Sequence, residues 1–552
     1  MRKFLGFLVL AILLTSCTLS KRTVAPNPPE ATTSPESGQS LPLEQGRHFN
    51  GSGNCAICHT NMFDESGADV STDKLWRATM LANAARDPYW LATVRSEINL
   101  APELSETIQK KCSTCHMPMA EFSAVAEGSK PLILDDGFRS DEHPLNKLAN
   151  DGVSCSLCHQ IEAENFGQKL SFSGGFLIDA DTEKGNRIAY GPYPTEANFI
   201  AVMQGVSGFI PAESEHLNQA GMCGTCHNLY TPYLDENNQV AGEFPEQMIY
   251  DEWANSDYRD GNCQDCHMPL AQGGVQLSTT GGPKRSPFFQ HTFVGGNAYM
   301  GRVFQQNTEV LQTAGTPAHF ETISNLAQSQ IEEQTAVLSI DEASVVGDLF
   351  HAEISIQSKG GHKFPAGFPS RRVWLHIQIF DKDNQLIFES GAFTEDGKIV
   401  ANDNDLDASR YEPHYTEITS SEQVQIYEAI MLDTTGAVTT TLLRGASYGK
   451  DNRILPAGFD LTQASADIAP YGIATDSDFA PGGDSIVVNV PLNNANGPYT
   501  LSVELLYQTI GYRWAENITG QETTEAQLFA DVYASTPNLP LLAASITKEI
   551  IP

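Results

Sequence analysis

Five copies of one pattern, cysteine, two residues, cysteine, histidine, constrain this chain more than any other feature. They are "CAICH" (Cys55, Cys58, His59), "CSTCH" (Cys112, Cys115, His116), "CSLCH" (Cys155, Cys158, His159), "CGTCH" (Cys223, Cys226, His227) and "CQDCH" (Cys263, Cys266, His267). They use ten of the eleven cysteines, and the eleventh is Cys17. From this composition, chance would supply about 0.005 copies of the pattern.

The spacing carries a covalent chemistry. Two thiols three positions apart reach the two vinyl groups of one haem and form thioethers, and the adjacent histidine then lies where its imidazole binds the iron. Structural zinc usually takes four ligands from two such pairs, so an odd number of units with an unvarying histidine fits zinc poorly. A disulfide framework gives no reason for the repeated histidine. The expectation is five covalently bound c-type haems. With five macrocycles between residues 46 and 300, the haems themselves form the core, wrapped by short helices and loops. Only "DKLWRATMLANAARDPYWLATVRSEI", 73–98, reads as a substantial helical stretch.

A haem with two strong axial ligands shuttles electrons, whereas one with an open position can bind a small molecule. Nine histidines lie outside the motifs. His143 and His216 each precede a motif, and His291 in "FFQHTFVGGN" follows the fifth. All three are expected as distal ligands. His48, seven residues before Cys55, and His319 at a predicted helix start are weaker candidates, as is the thioether of Met80. His351 and His376 sit in strand patterns and read as structural.

The motifs together with "DGVSCSLCHQI", "MCGTCHNLYTPY", "CQDCHMP" and "HTFVGGN" resemble the multihaem c-type cytochromes related to tetrahaem electron-transfer cytochromes and hydroxylamine-oxidoreductase-like proteins. The resemblance spans roughly residues 46–300. It implies stacked or perpendicular haem pairs in a continuous wire, with His143, His216 and His291 as distal ligands. Such proteins often carry another distal histidine in a Trp-x-x-Ser-x-His-Ala phrase. The matching stretch here is "WRATMLANA", with Leu81 where that histidine would fall. The first haem is thus left to Met80, to a histidine from elsewhere, or to no sixth ligand.

From about residue 336 the texture changes. "AVLSID", "LFHAEISIQ", "RRVWLHIQIF", "NQLIFESGAF", "EQVQIYEAIML", "AVTTTLLRG", "DSIVVNVPL" and "YTLSVELLYQTI" are eight β-rich runs separated by turn clusters. They predict an antiparallel β-sandwich over 336–552. The fold class is therefore α+β and multidomain, with a helical connector over 301–335. Two sandwich histidines lie in loops. His362, in the Gly- and Pro-stiffened "GGHKFPAG", is expected to reach back as a haem ligand, and His414 is a weaker candidate. Asp403, Asp405 and Asp407 alternate in "NDNDLDASRYEPHY", which offers calcium as a secondary reading. The loop lacks the glycine and glutamate of an EF-hand, so an ordinary acidic loop is favoured.

Met1-Arg2-Lys3 followed by the apolar run Phe4–Leu14 reads as an export signal over 1–17. "LTSC" matches a bacterial lipobox that would place a lipid on Cys17, and the Pro-, Ser- and Thr-rich stretch 18–45 reads as a flexible tether. Sixty-eight acidic residues against 33 basic give a formal charge of −35, which excludes nucleic acid as a partner. The leading expectation is an exported, lipid-anchored electron carrier at the outer envelope or cell surface, or in the periplasm. Its partners would be other redox proteins or extracellular acceptors. The alternatives are an oxidoreductase acting on a small nitrogen or sulfur compound at one open haem, and a self-assembling haem-stacked filament.

Overall fold

The structure is a computed structural model and describes residues 40–473 and 476–552. The signal, Cys17 and the tether up to residue 39 lie outside the described residues.

Local chemistry divides the expected helix over 73–98 into four pieces. Thr72–Trp76 ends before Thr79, whose side chain accepts from the Ala82 N–H and starts Met80–Asn83. A 3-10 turn, Ala84–Arg86, follows. Asp87 then caps Pro88–Leu100 by accepting from the N–H groups of Tyr89 and Trp90, with proline at the first helical position. Leu91, Val94 and Ile98 of this helix bury against Ile108, Met117 and Phe138. Helices Ser105–His116, Pro118–Ala126, Ala197–Ser207 and Ala298–Gln306 and the hairpin Asn228–Leu234/Val240–Met248 also occupy the first half. Their apolar periodicity is too patchy to announce them.

The second half is a two-sheet sandwich. In Leu349–Ser358 the side chains of Phe350, Ala352, Ile354 and Ile356 alternate inward, and the strand pairs antiparallel with Ala336–Val346 and Gly483–Pro491. The other sheet centres on Arg372–Phe380 and Tyr499–Gln508. It is flanked by Ile426–Leu432 and by Leu541–Ile550, a strand that the sequence pattern did not single out. Ile354 and Val488 from the first sheet meet Leu375, Ile377, Val503 and Leu505 from the second in one buried core. The architecture is thus α+β, with mostly antiparallel sheets toward the C-terminus.

The helices and the sandwich are interlocked, and the described residues belong to one compact unit. Helix Thr524–Ser535, which returns from the sandwich, lies along Pro88–Leu100. There Tyr89 packs on Phe529, with ring centres 5.1 Å apart, and Arg95 bonds Glu525 at 2.9 and 3.1 Å. No helix of the described residues is long and apolar enough to cross a membrane.

Candidate functional site

Each motif is carried by a short helix or a helix end: Gly53–Ala56, Ser105–His116, Cys155–Cys158, Ala220–His227 and Cys263–His267. Helical spacing puts the paired thiols on one side, with the histidine just beyond. None of the ten motif cysteines is in a disulfide. Among the described residues, the motif cysteines and histidines do not converge in threes around a point, as a zinc site requires. Five separate thiol pairs, each with its own imidazole, suit five flat rings instead.

Four of the five motif histidines are held in one tautomer. His59 Nδ1 donates to the Leu277 carbonyl at 2.8 Å, and His116 Nδ1 to Ala84 at 3.2 Å. His159 Nδ1 donates to Tyr190 at 2.6 Å, and His267 Nδ1 to Val294 at 2.5 Å. With Nδ1 protonated and committed, Nε2 keeps its lone pair for a metal. Burial also favours the neutral ring. It brings His116 down to about 4, only partly opposed by the Ala84 carbonyl. His227 is likewise brought down to about 4 by burial, with His267, Arg371 and His362 adding to the effect. Trp90 stacks flat on His116, with ring centres 4.3 Å apart and planes 2° apart.

Two of these imidazoles face a second one. The His159 and His291 ring centres lie 6.5 Å apart with planes 15° apart. Those of His267 and His362 lie 6.1 Å apart at 13°. Two trans metal–nitrogen bonds of about 2 Å each, plus the distance from each nitrogen to its ring centre, sum to roughly 6 Å. The spacing therefore suits a metal held between two imidazoles, too far apart for direct ring stacking and too near for an intervening side chain. His362 Nδ1 donates to the Lys363 carbonyl at 3.1 Å, so its Nε2 is also free. Burial lowers the pKa of both His291, to about 3, and His362.

One loop serves both pairs. In "HTFVGGN", His291 faces His159, and three residues later the Val294 carbonyl fixes His267. The sandwich holds this loop, because the Gly296 carbonyl accepts from Tyr507 Oη at 2.6 Å and from Thr509 Oγ1 at 3.0 Å. A Cβ at Gly296 would meet that Tyr507 oxygen at 2.4 Å, so only glycine permits the approach.

The loop "GGHKFPAG" is clamped by buried charge. Lys363, fully buried, places Nζ 2.6 Å from Asp451 Oδ2. Arg453 Nε lies 2.7 Å from Asp451 Oδ1, and its Nη2 is 2.9 Å from Glu252 Oε1. Glu252 Oε2 in turn accepts the Lys363 backbone N–H at 3.2 Å. Burial alone would raise Asp451, but Arg453 and Lys363 hold its carboxyl well below the usual range. Glu252 belongs to helix Ile249–Ala254, between the fourth and fifth motifs, so the quartet joins the histidine loop to the motif region. Ser256 Oγ also donates to the Gly361 carbonyl at 3.0 Å, and Phe364 exchanges both backbone hydrogen bonds with Ile454. None of the four charged residues was legible as functional from the sequence. The only local signal is that Lys363 adjoins His362.

Other candidates are placed elsewhere. His216 has both nitrogens in use, Nδ1 with Ser214 Oγ at 2.6 Å and Nε2 with the Ile161 carbonyl at 2.8 Å. Both nitrogens are thus engaged within the protein. His143 Nδ1 accepts from the Leu145 N–H at 3.2 Å and the ring packs edge-on against Phe138, so it is not opposed to a motif histidine. His414 Nε2 donates to Asp476 at 2.7 Å, while Nδ1 accepts from Gln425 and Asn452 at 3.0 Å each. It is a sandwich hydrogen-bonding residue and not a haem ligand. His319 forms a capping box with Thr316 at the start of helix Pro317–Gln334. Met80 packs against the apolar cluster of Val70, Leu75 and Phe304. His48 is buried between Phe49 and Phe122, and both its nitrogens lack a partner. The calcium reading also fails. Asp405 forms a two-pronged pair with Arg372 at 2.7 and 2.9 Å, and Asp403 binds Arg410 at 2.6 Å. Asp407 accepts from Ser409, so the three carboxylates do not converge.

The motifs form a branched series in space. Cys55 sits beside Cys155, joining the first motif to the third. Cys158 is near Cys226, joining the third to the fourth. Cys226 sits beside Cys115 of the second, and Cys223 beside Cys263 of the fifth. The fourth motif is therefore the junction, with the first, second and fifth at the ends.

No protein-family model matches the chain, and no curated protein matches it. Among solved structures the chain is similar to a penta-haem cytochrome c552 from Thermochromatium tepidum, at 15% identity and a TM-score of 0.47. The match covers 87% of this chain and 96% of that one.

Proposed function

We propose that the chain is a pentahaem c-type cytochrome that conducts electrons between redox partners. The observation that carries the reading is the pairing of His267 with His362, two imidazoles at iron-bridging distance, one beside a thiol pair and the other from the sandwich. Cys55 and Cys58, Cys112 and Cys115, Cys155 and Cys158, Cys223 and Cys226, and Cys263 and Cys266 hold the five rings. His59, His116, His159, His227 and His267 would each bind the iron of the ring beside them, and His291 and His362 would add a second imidazole at the third and fifth. Bound haem supplies a one-electron iron couple, and two imidazoles at one iron favour electron transfer over substrate binding. The protein contributes the carbonyls that fix the rings of His59, His116, His159 and His267, the burial that keeps the imidazoles neutral, and the branched order through the fourth motif. Cys17 is the proposed lipid anchor, which would put the carrier at an exported envelope surface.

A second reading applies to one centre. His59 shares its pocket with Thr72, Asp73 and Trp76, and no histidine or methionine is among the residues lining it with them. Asp73 Oδ1 there is buried without a partner. In this second reading a small molecule would bind at the first centre, where no second histidine or methionine lines the space beside His59. Pyridine haemochrome quantification together with the mass of the exported protein tests the main reading. Five covalent haems per chain are expected, and fewer than five, or zinc in their place, would overturn it. A carbon monoxide difference spectrum of the reduced protein tests the second reading, since only an open centre responds.

A further inference from the structure

Two arginines meet among segments that lead to the first, second and third motifs. Arg86 ends the 3-10 turn whose Ala84 carbonyl fixes His116 of the second motif. Arg86 Nη1 donates to the Asn150 carbonyl and, at 3.4 Å, to Ala82. Its Nε is buried with no partner, and the whole residue is 8% exposed. Arg139 donates to the Oδ1 of the same Asn150. The adjacent Asp151 accepts from the N–H and hydroxyl of Ser52, at 2.8 and 2.6 Å, where the helix of the first motif starts. The third motif begins at Cys155, four residues on.

Neither guanidinium has a carboxylate hydrogen-bonded to it among the described residues. Asp151 bears on Arg86 but is taken by Ser52, and Asp141 bears on Arg139 without a hydrogen bond between them. This is unexpected in a chain with 68 acidic residues for 33 basic ones. Arg95, Arg372, Arg410 and Arg453 all find carboxylates. Two like charges withdrawn together from water are costly unless an anion joins them, and a guanidinium is shaped to grip a carboxylate through two parallel N–H bonds. The partners that Arg86 and Arg139 do have are carbonyl oxygens, which orient the cations without neutralising them.

We infer that Arg86 and Arg139 form a binding site for a carboxylate, namely a propionate side chain of a haem held at the first, second or third motif. The inference rests on the pentahaem reading. The pair anchors that ring through its edge, remote from the iron ligands, and raises its potential by placing positive charge beside it.

The test uses the full-length, haem-loaded protein and its Arg86→Gln, Arg139→Gln and Arg86→Lys variants, with spectroelectrochemical titration and the propionate bending band of the resonance Raman spectrum as readouts. Each glutamine variant is expected to keep five haems and to move one of the five one-electron steps to lower potential. Arg86→Lys, which preserves the charge but not the fork, should leave the potentials close to wild type and shift the Raman band. Overlay of all five steps and of the Raman band in every variant that folds would overturn the inference. So would a wild-type step that moves with added chloride or acetate at constant ionic strength, because the pair would then hold a free anion. Failure of the pentahaem reading is separate and shows as a wild-type haem count below five.

Discussion

Asp451→Asn removes one negative charge from the buried quartet behind His362 with almost no change in volume. The structure sets the scale of the effect. Asp451 lies 2.6 Å from Lys363 and 2.7 Å from Arg453, and the side chains involved are 0%, 1% and 8% exposed, so solvent screens little. After the substitution two buried cations share Glu252 alone. Breaking a buried, hydrogen-bonded pair from one side typically costs about 3–5 kcal/mol, and that range is the prediction. Glu106→Gln is the control. Its pair with Lys130 has side chains 53% and 68% exposed, and should cost no more than about 1 kcal/mol. Urea unfolding followed by the Soret band and by far-ultraviolet circular dichroism measures both. The loss in Asp451→Asn should concentrate at the loop that carries His362, so one haem signal changes at lower urea than the other four. Adding Lys363→Met to Asp451→Asn removes the orphaned ammonium, leaves the Arg453–Glu252 pair neutral, and should recover part of the loss. An Asp451→Asn midpoint equal to that of Glu106→Gln, with all five haem signals lost together, would refute the claim that the quartet holds the loop.

Two further predictions follow from the placement of other groups. His216→Ala should destabilise the fold by about 1–3 kcal/mol through two lost hydrogen bonds yet leave the number of low-spin haems unchanged, as counted by low-temperature electron paramagnetic resonance. Asp484 is pushed up to about 7 by burial, opposed by the Tyr427 hydroxyl and reinforced by Asp476 and Asp478. In the unfolded chain its carboxyl titrates near 4, so between about pH 4 and 7 the folded state holds a proton that the unfolded state has lost. Its contribution to stability therefore falls as pH rises through that window and is most unfavourable above about 7. Asp484→Asn should gain relative to wild type between pH 4 and pH 8 by at most about 4 kcal/mol, as read from urea midpoints. An equal difference at both pH values would contradict the assignment.

What could be read without the structure was what repeats or alternates. The five motifs stand out because one local spacing of two thiols and an imidazole recurs. The strands Leu349–Ser358 and Arg372–Phe380 announce themselves because one or both faces are apolar at period two. His362 stood out as a candidate because glycine and proline stiffen its loop. The strand Leu541–Ile550 was missed because its outer half is exposed and mixed, and its identity comes from pairing with Tyr499–Gln508. His216 stood out by its proximity to a motif, whereas its bond to Ser214, two residues upstream, was not foreseen. The clamp on His362 was out of reach for a different reason. Glu252 and Arg453 are 201 positions apart, and nothing local to either marks the other. Likewise Tyr507 reads as an ordinary strand aromatic until the fold sets its hydroxyl on Gly296.

The central claim is that a histidine of the sandwich completes a metal centre built by the last motif. Low-temperature electron paramagnetic resonance of the oxidised protein, wild type against His362→Ala, tests it most directly. Conversion of one low-spin haem to high spin, with the other signals and the haem count of five unchanged, is the predicted result. A His362→Ala spectrum that overlays the wild type would contradict it.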